Sequence, residues 1–366
     1  MIRVLHVLGS LNRGGAETMI MNLYRNIDRS KIQFDFVIHT PEECDYVAEI
    51  LSLGGKVYTL PRYTGKNHFH YRKAWKSFLQ QHPQYKIIHG HMRSTASIYL
   101  NIAKQRGLFT IAHSHSISSG NGVAAKVKNL IQLPIRYIAD YFISCSSDAG
   151  EWLFGRKVVQ QNNHTVLKNA IEIDSFVYDE ETRMRLRSEL NVTDKLVIGH
   201  VGRFHPSKNH ELLIRVFKEI QDANQEVVLI LFGRGELEEA VRDQVKKLGI
   251  EDRVMFMGVK SDVQDWLQIM DVFVFPSIFE GLGISVIEAQ ASGLPCVISD
   301  RIPKEAIITH TTKAISLDKP AAEWASEVLN SLQANVDRKQ GNDAVKEAGY
   351  DVKVTAKWTE SFYLSC

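Results

Sequence analysis

Short apolar runs, unbroken by alternating polar residues, recur from one end of the chain to the other. In the first half they are Arg3–Leu8, Phe34–His39, Lys56–Leu60, Ile87–Gly90, Phe109–His113, Tyr141–Cys145 and Thr165–Leu167. Runs of this kind, bounded by turn residues, predict strands of a parallel sheet covered on both faces. Between them lie amphipathic segments that predict helices: Ala16–Ile27, Tyr71–Gln81, Thr95–Gln105 and Val123–Ala139. The second half repeats the scheme. Its predicted strands are Leu196–Val201, Val227–Phe232, Val254–Phe256, Val272–Phe275 and Pro295–Ile298. Its predicted helices are His210–Gln221, Leu237–Leu248, Val263–Met270, Ile284–Ser292 and Ala321–Gln333. Strand–helix alternation predicts a doubly wound α/β fold.

The span 169–194 is polar, charged and without a strong strand. It marks a boundary between residues 1–168 and 169–350. The end of the chain, Asp351–Leu364, predicts a helix with Val354, Trp358 and Phe362 on its apolar face. A length of 366 residues suits two domains of ordinary size.

Charge sharpens the division. Residues 1–168 hold 21 Lys+Arg against 10 Asp+Glu, and residues 169–366 hold 23 against 32. A basic half joined to an acidic half suits two domains with different surfaces. The basic half fits an anionic membrane or an anionic acceptor, with Tyr71–Lys76 and Val123–Tyr137 as candidate stretches. It lacks the interleaved aromatics of a nucleic-acid binder, so nucleic acid is not expected as a partner. The four cysteines are scattered and form no Cys-x-x-Cys, which fits a reducing cytoplasm. No run approaches the roughly 18 apolar residues of a membrane helix.

Candidate chemistry gathers in the turns that follow strands. Phe279-Glu280-Gly281-Leu282-Gly283-Ile284 joins an apolar strand to a helix start, and Glu288 follows one turn later. Free N–H groups at a helix start attract phosphate, and carboxylates accept hydrogen bonds from sugar hydroxyls. This pattern suggests a nucleotide-sugar site. In the same half, Gly202-Arg203-Phe204-His205-Pro206-Ser207-Lys208-Asn209 brings two cations to a sheet edge, Arg203 as a fork and Lys208 as a point charge. In the first half, the loop Gly9–Glu17 carries Gly14 and Gly15, without the spacing of a dinucleotide fingerprint. His113 and His115 end one strand, and His89 and His91 end its neighbour. Either hydroxyl contact or acid–base work fits His113. No carboxylate or cysteine completes a zinc set beside them, so no metal and no cofactor is expected. Nor does the chain contain an Asp-x-Asp that would clamp a diphosphate through a divalent ion.

The ordered set Gly14-Gly15-Ala16-Glu17, Gly202-Arg203 with Lys208-Asn209, Phe232-Gly233-Arg234-Gly235-Glu236, Pro276-Ser277, Glu280 with Glu288, and Ala291-Ser292-Gly293-Leu294-Pro295 resembles the retaining glycosyltransferases of family 4. The likeness spans essentially the whole chain. It is nearest to enzymes of exopolysaccharide and capsule synthesis in Gram-positive bacteria. The resemblance implies the GT-B fold: two Rossmann-like domains facing across a cleft, with the C-terminal helix (351–366) crossing back to the first. It implies transfer of a hexosyl unit from a nucleotide-sugar donor, UDP-linked by analogy, to a lipid-linked saccharide acceptor.

The residue roles follow from the same resemblance. Arg203 and Lys208 hold the donor diphosphate. The backbone at Leu282, Gly283 and Ile284 caps its distal phosphate, and Gly281 belongs to the same donor-binding turn. Glu288 takes the ribose hydroxyls and Glu280 the transferred sugar. Gly15 approaches the donor phosphate from the first domain, and His113 or His115 touches sugar or acceptor. One departure is Asn169-Ala170-Ile171-Glu172, where the family usually has Asn-Gly-Ile-Asp. The competing expectations are a nucleotide-sugar epimerase of similar fold and a non-enzymatic anion-binding or nucleic-acid-binding protein.

Overall fold

The computed structural model describes residues 1–115, 129–224, 226–333 and 337–366. They fall into two units, Met1–Ile171 with Asp351–Cys366, and Glu172–Tyr350. The division comes three residues after the 168/169 boundary expected from composition.

The first unit holds strands β1 (Ile2–Val7), β2 (Ile32–Ile38), β3 (Val57–Thr59), β4 (Ile87–Gly90), β5 (Phe109–Ser114), β6 (Tyr141–Ser144) and β7 (His164–Val166). They pair in parallel in the order β3-β2-β1-β4-β5-β6-β7. The second unit holds β8 (Leu196–Val201), β9 (Val227–Phe232), β10 (Val254–Gly258), β11 (Val272–Phe275), β12 (Cys296–Ser299) and β13 (Thr312–Ile315). Its order is β10-β9-β8-β11-β12-β13, also parallel.

The unalternated runs have their expected cause. On β1, Val4 faces a core layer with Phe34, Phe36 and the helix Gly15–Asn26. Its neighbour Leu5 faces the opposite layer, with Val37, Tyr71, Trp75 and Tyr99. Both faces are thus apolar, and every residue of β2 and β9 is buried. Each large side chain so buried contributes about 1.5–3 kcal/mol.

Buried charge is paired. Asp35 on β2 is fully buried and accepts from Arg3 Nε at 2.6 Å, Arg3 Nη2 at 2.7 Å, Tyr85 hydroxyl at 2.7 Å and the Lys56 N–H at 2.8 Å. In the second unit Asp271 joins Arg183, Arg187 and the Val197 N–H.

Three readings of the sequence are corrected. Strand β13 was not expected. It is an edge strand with Lys313 and Ala314 exposed, so its composition lacks the apolar run. The long helix expected over Val123–Ala139 lies outside the described residues up to 128. Its described part is helical at 129–132 and again at Ile135–Ile138. The interruption falls at Pro134, which has no N–H to continue the first turn.

The C-terminal helix, Val352–Ser365, forms but presents a different face. Val354 is 65% exposed, and the buried residues are Val352, Thr355, Ala356, Thr359 and Tyr363. Trp358 and Phe362 pack at the margin of the core layer that holds Met19, Ile20 and Leu23. Thr355 and Thr359 go inside because their hydroxyls donate to Asp351 O at 3.2 Å and Thr355 O at 2.8 Å. The helix is tied back to the first unit by Val352 N–H to Ile171 O at 3.1 Å.

Candidate active site

In an open parallel sheet, ligands bind beyond the carboxyl ends of the strands where the order reverses. In the second unit that point lies between β8 and β11. The loop after β8 turns through the short helix Pro206–Lys208. Asn209 then adopts φ 55°, and its side chain caps Leu212 N of the helix His210–Ala223. The loop after β11 carries Glu280 and ends at Gly283, whose φ of 90° favours glycine and starts the helix Ile284–Ala291.

These two loops bring Lys208 and Glu280 together across 72 residues of sequence. Lys208 Nζ lies 2.6 Å from Glu280 Oε1, and the side chains are 17% and 13% exposed. The ammonium also sits 4.6 Å from the Phe275 ring centroid, a favourable cation–π placement. Beside the pair, the N–H groups of Leu282, Gly283 and Ile284 make no hydrogen bond among the described residues. They form an anion cradle at the positive end of the helix. Glu288 follows one turn on, half-buried, and burial pushes its carboxyl up to about 7. Gly281 stands in the same turn.

Arg203 is placed differently. Its guanidinium is 69% exposed and pairs with Glu236 at 3.2 Å, not with the Lys208–Glu280 group. The Phe232–Glu236 stretch supports both. A Cβ on Gly233 would lie 2.1 Å from Gly202 O, and one on Gly235 would lie 2.3 Å from Phe204 O. The loops after β8 and β9 therefore meet backbone to backbone.

In the first unit the order reverses between β1 and β4. A cavity of about 350 Å³ opens there, lined among others by Gly9, Ala16, Glu17, His91, Arg93 and His115. Gly15 is the exposed first residue of the helix Gly15–Asn26 at its edge. Burial raises the Glu17 carboxyl. A side chain on Gly14 would meet Glu17 Oε2 at 2.5 Å. His113 is 1% exposed and does not line the cavity, whereas His115 does. Burial holds the imidazoles of His6, His89, His91 and His113 well below their ordinary value, and that of His115 down to about 3. All five are neutral near pH 7 and act as hydrogen-bonding groups. Sequence reasoning missed His6 and Arg93. The β1–β4 register sets His6 opposite His89, which periodicity does not encode, and Arg93 follows His91 by two residues in the turn after β4.

The candidate membrane stretch Tyr71–Lys76 turns its aromatics inward, since Tyr71 and Trp75 are fully buried. On the same helix, Phe69 is 87% exposed, and Lys73 and Lys76 are exposed with it. Among the described residues no helix is long and apolar enough to cross a membrane.

Comparison with known proteins gives a consistent result. Residues 159–349 match the family described as "Glycosyl transferases group 1", and residues 13–175 match "Glycosyltransferase Family 4". The chain is 32% identical over 359 residues to EpsF of Bacillus subtilis (strain 168), whose own glycosyltransferase assignment is provisional. That alignment covers 96% of this chain and 93% of EpsF. It is 23% identical over 228 residues, 59% of this chain and 58% of the relative, to an Escherichia coli enzyme named as UDP-Gal:alpha-D-GlcNAc-diphosphoundecaprenol alpha-1,3-galactosyltransferase. Among solved structures, Anabaena Alr3699/HepE in complex with UDP and glucose superposes with a TM-score of 0.83 over the whole of both chains at 17% identity.

Proposed function

Since the chain belongs to the glycosyltransferases of group 1 and family 4, with their GT-B architecture, we propose that it moves a hexosyl unit from a UDP-sugar onto a lipid-linked saccharide, with retention and without a metal clamp on the diphosphate. The observation that carries this reading is the grouping of Lys208, Glu280, the N–H groups of Leu282–Ile284 and Glu288 at one sheet edge. The UDP-bound neighbour and the undecaprenol-linked acceptor named for the Escherichia coli relative support the donor and acceptor classes.

The division of labour follows from the chemistry of each group. The leaving diphosphate develops charge on its distal phosphate. Lys208 and the three N–H groups meet that charge in place, usually the largest catalytic contribution. Arg203 supplies a second, more exposed cation from the loop surface. Glu280, held by Lys208, accepts from hydroxyls of the transferred sugar and orients it. In a front-face reaction the leaving phosphate oxygen takes the acceptor's proton, so no protein base is required. Glu288 accepts from the ribose hydroxyls. The basic half, with Lys73, Lys76 and exposed Phe69, would hold the enzyme peripherally on an anionic membrane, where an exopolysaccharide precursor is built on its lipid.

The test is UDP release from UDP-hexoses in the presence and absence of polyprenyl-diphosphate-linked saccharides, followed by NMR of the new linkage. Acceptor-dependent release with the donor's anomeric configuration retained is expected. Donor consumption without a glycosidic product would overturn the reading in favour of an epimerase, and an inverted linkage would overturn retention.

Glu288 adds a pH dependence. Its carboxyl sits at about 7 in the fold against an ordinary 4.5, so ionising it costs stability. That cost is absent below pH 4.5, grows between 4.5 and 7, and is full above 7. The ribose hydroxyls favour the ionised form, so UDP-glucose affinity is expected to fall about tenfold from pH 8 to pH 6, following the ionised fraction. Calorimetric titration at both pH values checks this. The same tenfold change in Glu288→Gln would exclude Glu288 as the titrating group.

A further inference from the structure

Five buried or half-buried histidines gather at the carboxyl edge of the first sheet, beneath the cavity. His6 comes from β1, His89 and His91 from the end of β4, and His113 and His115 from the end of β5. Their rings form two hydrogen-bonded files. In one, the Tyr363 hydroxyl lies 2.6 Å from His89 Nδ1, and His89 Nε2 lies 3.2 Å from His113 Nδ1. In the other, His6 Nδ1 lies 3.0 Å from His91 Nε2, and His91 Nδ1 lies 2.8 Å from His115 Nε2.

A neutral imidazole carries one N–H and one lone pair. Either proton order in the first file leaves His113 Nε2 buried without a partner among the described residues. The order in which Tyr363 accepts leaves that nitrogen a bare lone pair. In the second file either proton order leaves a bare lone pair at one end and an N–H at the other, and both ends, His115 Nδ1 and His6 Nε2, are buried without a partner among the described residues. Each such buried orphan costs about 1–3 kcal/mol, and the bare lone pair of His113 Nε2 is the one that a further occupant beside His91 and His115 would meet.

We propose that His91, His113 and His115 form a three-nitrogen site for a divalent first-row transition ion, with zinc as its probe. Their ligand atoms all lie within 4.8 Å of one another. The closest ring nitrogens are 2.8 Å apart, against about 3.3 Å between two ligands of a tetrahedral zinc with bonds near 2.0–2.1 Å. An all-imidazole set suits zinc, nickel, cobalt or copper and not magnesium or calcium. His113 would bind through Nε2 while its Nδ1–H is held by His89, itself steadied by Tyr363. This is the outer-shell support that ligating histidines require. The cavity lined by His91 and His115 provides the entry path and a fourth position for a water or hydroxyl oxygen. The site shares no residue with the Lys208–Glu280 group.

Zinc titration of the EDTA-stripped full chain by calorimetry, with cobalt absorption in parallel, tests the assignment. One ion per wild-type chain is expected, with affinity lower by roughly 10–100-fold or more in His91→Gln and His115→Gln. Binding of UDP alone should stay unchanged in both variants, because neither histidine is among the groups assigned to the diphosphate or the ribose. Absence of stoichiometric binding by the wild type would overturn the site, as would undiminished binding by His115→Gln, which would place the ion on surface histidines such as His68 and His70. If a variant fails to fold, the cobalt spectrum of the wild type decides: intense visible bands of a four-coordinate ion support the site, and a pale six-coordinate spectrum overturns it.

Discussion

Lys208→Met is expected to lower kcat/KM for hexosyl transfer by roughly 10²–10³-fold, the range seen when a preorganised charge-stabilising group is removed. Two effects superpose in this variant, and they can be separated. The first is loss of the cation beside the leaving phosphate. The second is stranding of Glu280, whose carboxylate is 13% exposed and held by Lys208 at 2.6 Å. An unpaired charge at such a site costs about 1–3 kcal/mol of stability. Adding Glu280→Gln removes the stranded charge, so the double variant should recover most of the melting temperature. It should recover none of the activity, because neither the cation nor the sugar-orienting carboxylate returns. Thermal melts and initial rates on the three proteins check this. Near-normal rates in Lys208→Met would remove Lys208 from the site. Activity rising with the melting temperature would mean the pair is only structural.

Gly233→Ala should be nearly as damaging, by a different route. Gly233 has φ 134°, outside the range of L side chains, and a Cβ there would stand 2.1 Å from the Gly202 carbonyl oxygen. The obstacle is backbone, so no side chain can swing aside. Backbone strain and loop displacement together should cost roughly 3 kcal/mol. The displaced loop is the one that ends in Lys208. Urea unfolding and donor titration should therefore show a lower midpoint and weaker UDP-glucose binding together. Gly249→Ala is the control. It also has positive φ but no atom within 4 Å of the added Cβ, so it carries strain without collision and should cost about 1 kcal/mol with binding intact.

Much of the fold was legible because parallel strands are buried on both faces and leave unalternated apolar runs. Edge strand β13 left no such run, and so was missed. The C-terminal helix was located correctly but rotated, because residue type alone put Val354 inward with Trp358 and Phe362 and gave no reason to bury Thr355 and Thr359. The threonines could be buried only by returning their hydroxyls to the preceding turn. At the candidate site, the Gly-rich turn and its two glutamates were visible in the chain. Sequence put Lys208 at the same sheet edge, but its contact with Glu280 follows from β8 lying next to β11. The outward pairing of Arg203 with Glu236 was not visible, nor was the burial of His113 behind His115. Each depends on which strands are neighbours, which periodicity does not encode.

The most direct measurement is the thermal midpoint of the wild type and of Lys208→Met/Glu280→Gln with UDP, GDP, ADP and their hexose conjugates, each with and without EDTA. At about 100 times its dissociation constant, a ligand of the native state should add roughly 2.7 kcal/mol. Stabilisation of the wild type by UDP and a UDP-hexose is expected. The ligand-induced shift should be unchanged by EDTA and largely lost in the double variant. An equal shift in the double variant, or no shift with any nucleotide, would contradict a donor site built on Lys208 and Glu280.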